Sequence, residues 1–490
     1  MLPYNNLIPI NKNSKVPIYL QICNGFIQLI KQGLLKGNTK LPGTRQLSEI
    51  LCVHRNTIVA TYEELQLQGW IHINASKGSF VSEAIPESKP KAYLHPTKSE
   101  KKITGFEIKQ NTILTTDVYK RTNLLELNDG LPDSRLAPVD SLASCIRSVL
   151  RGERGTRSLS YGDIEGNINL RNELQSFLND SRGLNVSIEN IFITRGSIMG
   201  LYLSLNVLLK NGDNVIIAET GYRSVNLIIK NLGGNLITIP TDENGLQIEL
   251  IEQICKTKKI RAIYVTPHHH YPTTVTMTPD RRMKLLSLAE KYKIAILEDD
   301  YDYDYHFSHS PYLPLATYDP AGVVIYIGSF TKTFSPAFRV GYIVASENMI
   351  HEIAKIRRIV DRQGDSILEL ALAEMFKLGE IKSHLKKSHK IYKARRDYFC
   401  ERLKQVAGDK IEFCIPEGGM AIWARFDKKI HVPTLAKVAA SKGLFFHDGS
   451  SFSLSNNSTR LGYASLNMEE LDAAVILLNK SMESAVKKPF

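Results

Sequence analysis

The chain has 490 residues, 43% of them apolar and 23% charged, an ordinary soluble globular composition in a length too great for one core. No apolar run reaches the length of a membrane span, and the opening Met-Leu-Pro-Tyr-Asn-Asn lacks the basic and apolar blocks of a secretory signal. The six cysteines are scattered with no CxxC, which predicts reduced thiols in a cytoplasmic protein and speaks against a disulfide framework and a zinc site; the net charge of +12 leaves nucleic acid open as a partner.

From the N-terminus, Ile18, Ile22, Phe26, Leu29 and Ile30 form one helical face, with Pro17 at its start and Gly33 at its stop. Thr44 reads as the N-cap of a short helix to Leu51, and Cys52-Val53 as a tight corner. A second helix spans Arg55 to Gln68, with Ile58, Tyr62 and Leu65 inward. Two short helices about a tight turn make a helix-turn-helix. The second opens on His54, Arg55, Asn56 and Thr57, polar residues no core requires, where a recognition helix meets the major groove. Trp70 to Val81 reads as strand, turn, strand: a wing tipped by Lys77 and Gly78. Residues 1–82 hold eight Lys/Arg, Arg45 among them, against three acids. That excess suits a phosphate backbone and favours double-stranded DNA over a protein-interaction role.

The segments Pro17-Ile-Tyr-Leu-Gln-Ile, Gly37 to Ser48, Val53 to Ile58 and Lys77-Gly-Ser-Phe-Val resemble the winged helix-turn-helix of the GntR family. Gly43-Thr44 stands where that family more often has Ser-Ser, and His54 where it has Ser, changes that bear on base preference rather than fold. Residues 83–125 follow as an expected linker, rich in proline and charge to about Lys102. Its length lets the basic module pack on a partner chain.

From residue 126 to 490 apolar strands alternate with helices. Strands are expected at 191–194, 214–218, 235–239, 260–265, 295–297 and 323–328, and helices at 166–179, 196–210, 224–231, 279–292 and 349–359. This alternation predicts an α/β domain with a mostly parallel sheet, its site built by loops at the strand ends. Four such loops carry chemistry. Gly196 and Ser197 open a helix after a strand, an anion site in principle though a common turn. Tyr222 reads equally as a ring to lie on a cofactor or as a core tyrosine. His268-His-His270 suggests zinc, but neighbouring side chains cannot all face one ion and no Cys or Glu cluster supports it, so a polar loop without metal is expected. Leu297-Glu-Asp-Asp-Tyr-Asp302 ends a strand in acids, so a carboxylate there could pair with a pyridinium nitrogen and Tyr301 could donate to a ring oxygen; the plain alternative is a solvated acidic turn. A fifth stretch, Ser329-Phe-Thr-Lys-Thr-Phe-Ser-Pro-Ala-Phe-Arg339, sets Lys332 among hydroxyls just past a strand. Alone it reads as a surface lysine. With a phosphate cup from Ser329, Thr331 and Arg339 it suits pyridoxal phosphate, whose aldehyde a lysine of lowered pKa attacks.

Together these loops resemble the fold-type I aminotransferase-like proteins, and with the N-terminal module the chain is similar to MocR-type regulators. The resemblance implies that Lys332 forms an aldimine with pyridoxal 5'-phosphate, that Asp299 meets its ring nitrogen and Tyr301 its hydroxyl, and that Tyr222 stacks on the ring. It assigns Gly196, Ser197, Ser329 and Arg339 to the phosphate, Tyr161 to the phosphate of a neighbouring subunit, and Arg460 to an amino-acid carboxylate. Ile198, Ser224 and His268-His-His270 depart from the pattern and imply an effector pocket unlike that of the GABA-responsive relative. The expected function is a homodimeric transcription regulator that senses an amino compound, or the cofactor itself, through exchange at Lys332. An aminotransferase with a secondary DNA-binding module is the alternative.

Overall fold

The computed structural model describes residues 2–14, 16–74, 76–83, 104–114, 125–151, 155–156, 159–308, 310–450, 452 and 457–485. The chain divides into two units, Met1–Lys109 and Gln110–Phe490. The division falls inside the expected linker, most of which lies outside the described residues. Among the described residues no helix is long and apolar enough to cross a membrane, and all six cysteines are free.

The first unit is built on helices α1 (Tyr4–Leu7), α2 (Ile18–Lys31), α3 (Thr44–Ile50) and α4 (Arg55–Leu67), then strands β1 (Ile71–Asn74) and β2 (Gly78–Val81). The spacing of Ile22, Phe26, Leu47, Ile58, Tyr62 and Leu65 brings these side chains into one buried cluster. Each fully buried side chain of this size contributes about 1.5–3 kcal/mol. Gly43, not Thr44, occupies the position before α3, in extended backbone and with no side-chain cap. His54 caps α4 instead, its Nδ1 accepting from the Asn56 N–H at 3.3 Å. β1 and β2 pair antiparallel from Ile71 opposite Val81 to Asn74 opposite Gly78, which is the wing.

The second unit centres on a seven-stranded sheet. Its strands are β3 (Ile191–Thr194), β4 (Asn214–Ala218), β5 (Asn235–Ile239), β6 (Ile260–Val265), β7 (Ala295–Asp300), β8 (Val324–Ser329) and β9 (Gly341–Val344), in the order β3-β9-β8-β7-β6-β4-β5. β5, β4, β6, β7 and β8 are parallel; β9 runs antiparallel to both β8 and β3. The strands are apolar throughout because both faces are covered. Val215, Ile217, Leu297 and Ile325 enter one cluster, while Ile216, Ile263, Ile296 and Val324 enter another.

Beyond the sheet, α5 (Glu380–Ala407) and a final helix, α6 (Met468–Ala485), flank an antiparallel three-stranded sheet of β10 (Ile411–Glu412), β11 (Ala421–Phe426) and β12 (Ser458–Gly462). Phe399, Leu403, Ile422, Leu461, Leu471 and Leu478 share its core. Two expectations need correction here. β7 does not stop at Leu297 but runs through Asp300, so its acids are strand residues, not a solvated turn. Between β3 and β8, the sheet also contains an antiparallel strand, β9, not expected from the sequence.

Candidate functional site

Strand alternation sorts the three acids of β7. Glu298 and Asp300 point to one side, where Glu298 accepts from the Leu315 and Ala316 N–H groups at 2.8 and 3.0 Å and Asp300 accepts from the Tyr326 hydroxyl at 2.8 Å. Asp299 points to the other side and accepts from the Tyr264 hydroxyl on β6 at 2.8 Å. Its second oxygen, Oδ1, is buried with no hydrogen-bond partner. Burial pushes the Asp299 carboxyl up to about 7, with Asp300 and Asp302 adding to the rise and the Tyr264 hydrogen bond opposing it. An orphaned buried carboxylate oxygen awaits a donor.

Lys332 follows β8 by three residues. Its Nζ donates to the Gly130 carbonyl at 2.5 Å and lies 5.9 Å from the centre of the Tyr301 ring. Desolvation brings the amine down to about 8, with the Asp129 carboxylate acting against that fall. The proton therefore leaves this lysine at a lower pH than it leaves an ordinary exposed lysine.

The anion cradle is assembled by close backbone approach. Gly341 opens β9 where a Cβ would lie 2.9 Å from the Gly196 carbonyl carbon and from the Gly328 oxygen. This proximity brings Arg339, two residues earlier and itself left-handed at φ +49, against the Gly196 loop. Arg339 Nη2 donates to the Arg195 carbonyl at 3.0 Å, and a Cβ on Gly196 would meet that same nitrogen at 3.0 Å. Ser197 is the first residue of the helix Ser197–Leu208, and Ser329 Oγ accepts from the Thr331 N–H at 3.1 Å at the end of β8. The Arg339 guanidinium thus lies at this helix start, with Ser329 paired to Gly341 on the neighbouring strand.

Aromatic side chains line the remaining wall. Tyr222 and Tyr271 meet edge to face at 5.2 Å, and Tyr301 donates to the His269 carbonyl at 2.8 Å. Arg460, on β12 and 1% exposed, donates to the Pro272 carbonyl at 3.0 Å. Its Nε lies 3.4 Å from Asp129 Oδ1, and Asp129 Oδ2 accepts from the Tyr271 hydroxyl at 2.8 Å. Tyr161 is 77% exposed, with Arg362 over its ring at 4.4 Å.

Residues 124–477 match the aminotransferase class I and II family. The chain belongs to that family. It is 26% identical to a kynurenine aminotransferase of Pyrococcus horikoshii, solved with PMP and substrates, at a TM-score of 0.70 over 75% of this chain and 92% of that one. It is also 28% identical, over 95% of its length and 96% of the relative's, to an uncharacterized HTH-type transcriptional regulator, YdfD, of Bacillus subtilis. A probable rhizopine catabolism regulatory protein, MocR, of Rhizobium meliloti is 25% identical over 90% of this chain and 88% of its own. The family works with pyridoxal phosphate, and the residues present fit that group. Asp299 Oδ1 lacks the partner a pyridinium N–H supplies, Lys332 holds its proton less tightly than a free lysine, and Gly196 leaves its cradle open.

Four neighbours escaped sequence reasoning. Tyr264 sits within an apolar strand and reads as core; Asp129 and Gly130 lie in a turn; Tyr271 hides beside the histidines. The turn sequence Asn128-Asp-Gly-Leu-Pro132 was the one local signal.

In the first unit Arg45, His54, Arg55, Asn56, Lys77 and Gly78 are exposed and Thr57 is half-buried. Arg55 Nε reaches Thr44 Oγ1 at 3.5 Å, which ties the starts of α3 and α4 together. Thr44, Gln46, Lys77 and Gly78 line one concave surface, so wing tip and helix start share a face.

Proposed function

We propose that the chain is a pyridoxal-phosphate-dependent transcription regulator: residues 1–82 bind double-stranded DNA, and residues 126–490 respond to a small amino compound. The observation that carries this reading is the presence, in one chain, of a basic winged helix-turn-helix and a desolvated lysine facing an orphaned aspartate. The similarity to chains named as regulators extends over nearly the full length, which supports it.

Bound at this site, the cofactor supplies an electrophilic carbon and an electron-accepting ring. Asp299 Oδ1 would accept from the ring N–H while Tyr264 holds the carboxylate in place. Gly196, Ser197, Ser329 and Arg339 would bind the phosphate, Tyr222 would cover the ring, and Tyr301 would donate to its oxygen. Lys332 Nζ takes or gives the proton, and Arg460 receives a carboxylate. Tyr161, exposed on its own chain, is available to a second copy, in keeping with a homodimer. An incoming amine that competes with Lys332 for the cofactor would then be the signal, and a freed Lys332 would bias the DNA-bound state. The reading implies a cytoplasmic protein.

A second reading, a free-standing aminotransferase activity, is favoured by the completeness of the set Lys332, Asp299 and Arg460. Cofactor absorbance and DNA binding, followed on the same preparation with and without candidate amines, separate the two. A regulator shows specific DNA binding that amines alter and slow or single-turnover conversion. Fast multiple turnover with no specific DNA binding overturns the proposal.

A further inference from the structure

The histidine run does not behave as three adjacent side chains around one point. His270 turns away to Thr273, Nδ1 to Oγ1 at 2.7 Å, and its place is taken from another segment by His306. We propose that His268, His269 and His306 form a binding site for a divalent transition metal, zinc by ligand type.

All three rings are buried, at 3%, 1% and 5% exposure. Their centroids lie 4.7 Å (His268–His269), 5.5 Å (His268–His306) and 5.7 Å (His269–His306) apart. One nitrogen from each falls within 4.8 Å of the others. The pair His269 Nε2 and His306 Nδ1 is already 3.4 Å apart. Two imidazole nitrogens each about 2.0–2.1 Å from a tetrahedral zinc ion lie about 3.3 Å apart, so this pair has the spacing, and His268 closes the set by moving at most about 1.5 Å. Both ring nitrogens of His268 are buried without a hydrogen-bond partner, an expensive state for an imidazole unless something takes the lone pair. Asp302 Oδ1 sits 2.8 Å from His269 Nδ1, which turns Nε2 toward the site in the carboxylate–histidine–metal arrangement. Arg282 and Arg182 oppose a cation here; Arg182 is already paired with Asp304 at 3.1 Å, and Asp302, in contact with His269, supplies a negative charge. Zinc rather than magnesium or calcium follows from an all-imidazole set.

The consequence for the cleft rests on the regulator reading; the binding itself does not. His269 accepts from Tyr301 through its carbonyl, and Pro272, on the same loop, accepts from Arg460. A metal that fixes this loop fixes both contacts.

The test uses the full-length protein, stripped with a chelator and titrated with Co2+ in the visible range, then with Zn2+ against a chromophoric chelator. The expected result is one metal per chain, with the d–d bands of a four-coordinate nitrogen and oxygen set and no thiolate charge-transfer band. Asp302→Asn weakens it about 10-fold, and His268→Gln and His306→Gln weaken it further, with unchanged far-UV circular dichroism. X-ray absorption on the zinc-loaded wild type reads three imidazole scatterers without any variant, so a misfolded variant does not leave the question open. No binding at micromolar metal, equal binding by both histidine variants, or thiolate ligation through exposed Cys52 or Cys414 overturns the site. None of these outcomes bears on DNA or cofactor binding, which are measured separately.

Discussion

Lys332 owes its chemistry to two opposed influences, desolvation that drives its proton off and Asp129 that holds it on. The amine's value in the folded chain, about 8, lies below that of free lysine, so its neutral fraction grows as pH rises through that value. Covalent capture of pyridoxal phosphate, read by visible absorbance, is therefore expected to increase to a plateau above about pH 8 and to vanish in Lys332→Ala. Asp129→Asn removes the carboxylate that keeps the value up, so its midpoint should fall by about one unit. An unmoved midpoint would show that Asp129 does not act on the amine. Lys332 and Asp299 were singled out in the sequence by their combination, an acid closing one apolar strand and a lysine among hydroxyls just past another, since the lysine alone reads as a surface residue. Asp129 and Tyr264 were not, since a turn aspartate and a strand tyrosine look the same whether or not a charged side chain from elsewhere lands on them.

At the scale of elements, the strands of the large sheet were legible because burial on both faces demands continuous apolar runs, and four of them match residue for residue. The extent of β7 was not, because polar residues inside a strand are paired only by partners distant in sequence, here Tyr264, Tyr326 and the 315–316 backbone. β9 was missed for a related reason. Four residues opening on glycine carry little periodicity, and only its packing on the Gly196 loop explains that glycine. That packing makes Gly341→Ala a test of the cradle. A methyl group 2.9 Å from two backbone atoms must push β9 away from the loop, at a cost of about 1–3 kcal/mol. Because Arg339 moves with β9, pyridoxal phosphate should bind about 10-fold more weakly while Lys332 remains chemically intact; equilibrium dialysis measures the first and denaturant titration the second cost. Wild-type cofactor affinity in a destabilised variant would separate the strand from the phosphate site.

The whole molecule joins two units whose chemistry is separable by mutation. Arg55 stands exposed at the start of α4, and its contribution to DNA binding is electrostatic if it meets a phosphate. Arg55→Ala should then lower the slope of log affinity against log salt by about 0.9 and leave cofactor absorbance unchanged. Lys332→Ala is the reciprocal case and the more searching one. If amine exchange at Lys332 is the sensing event, the lysine-free chain has lost the difference between its two states, not its DNA-binding surface. A ligand can shift an equilibrium only by its differential affinity for the two states, and removing the bond that distinguishes them removes that difference. The variant is therefore expected to bind DNA with wild-type salt dependence, but with an affinity that no amine alters. In the wild type a coupling of about 1–3 kcal/mol would appear as a 5- to 150-fold amine-dependent change. Footprinting of both proteins across an amine titration decides the matter. An amine response retained by Lys332→Ala would place the sensing contact elsewhere in the cleft, with Arg460 and Asp129 the groups left to supply it.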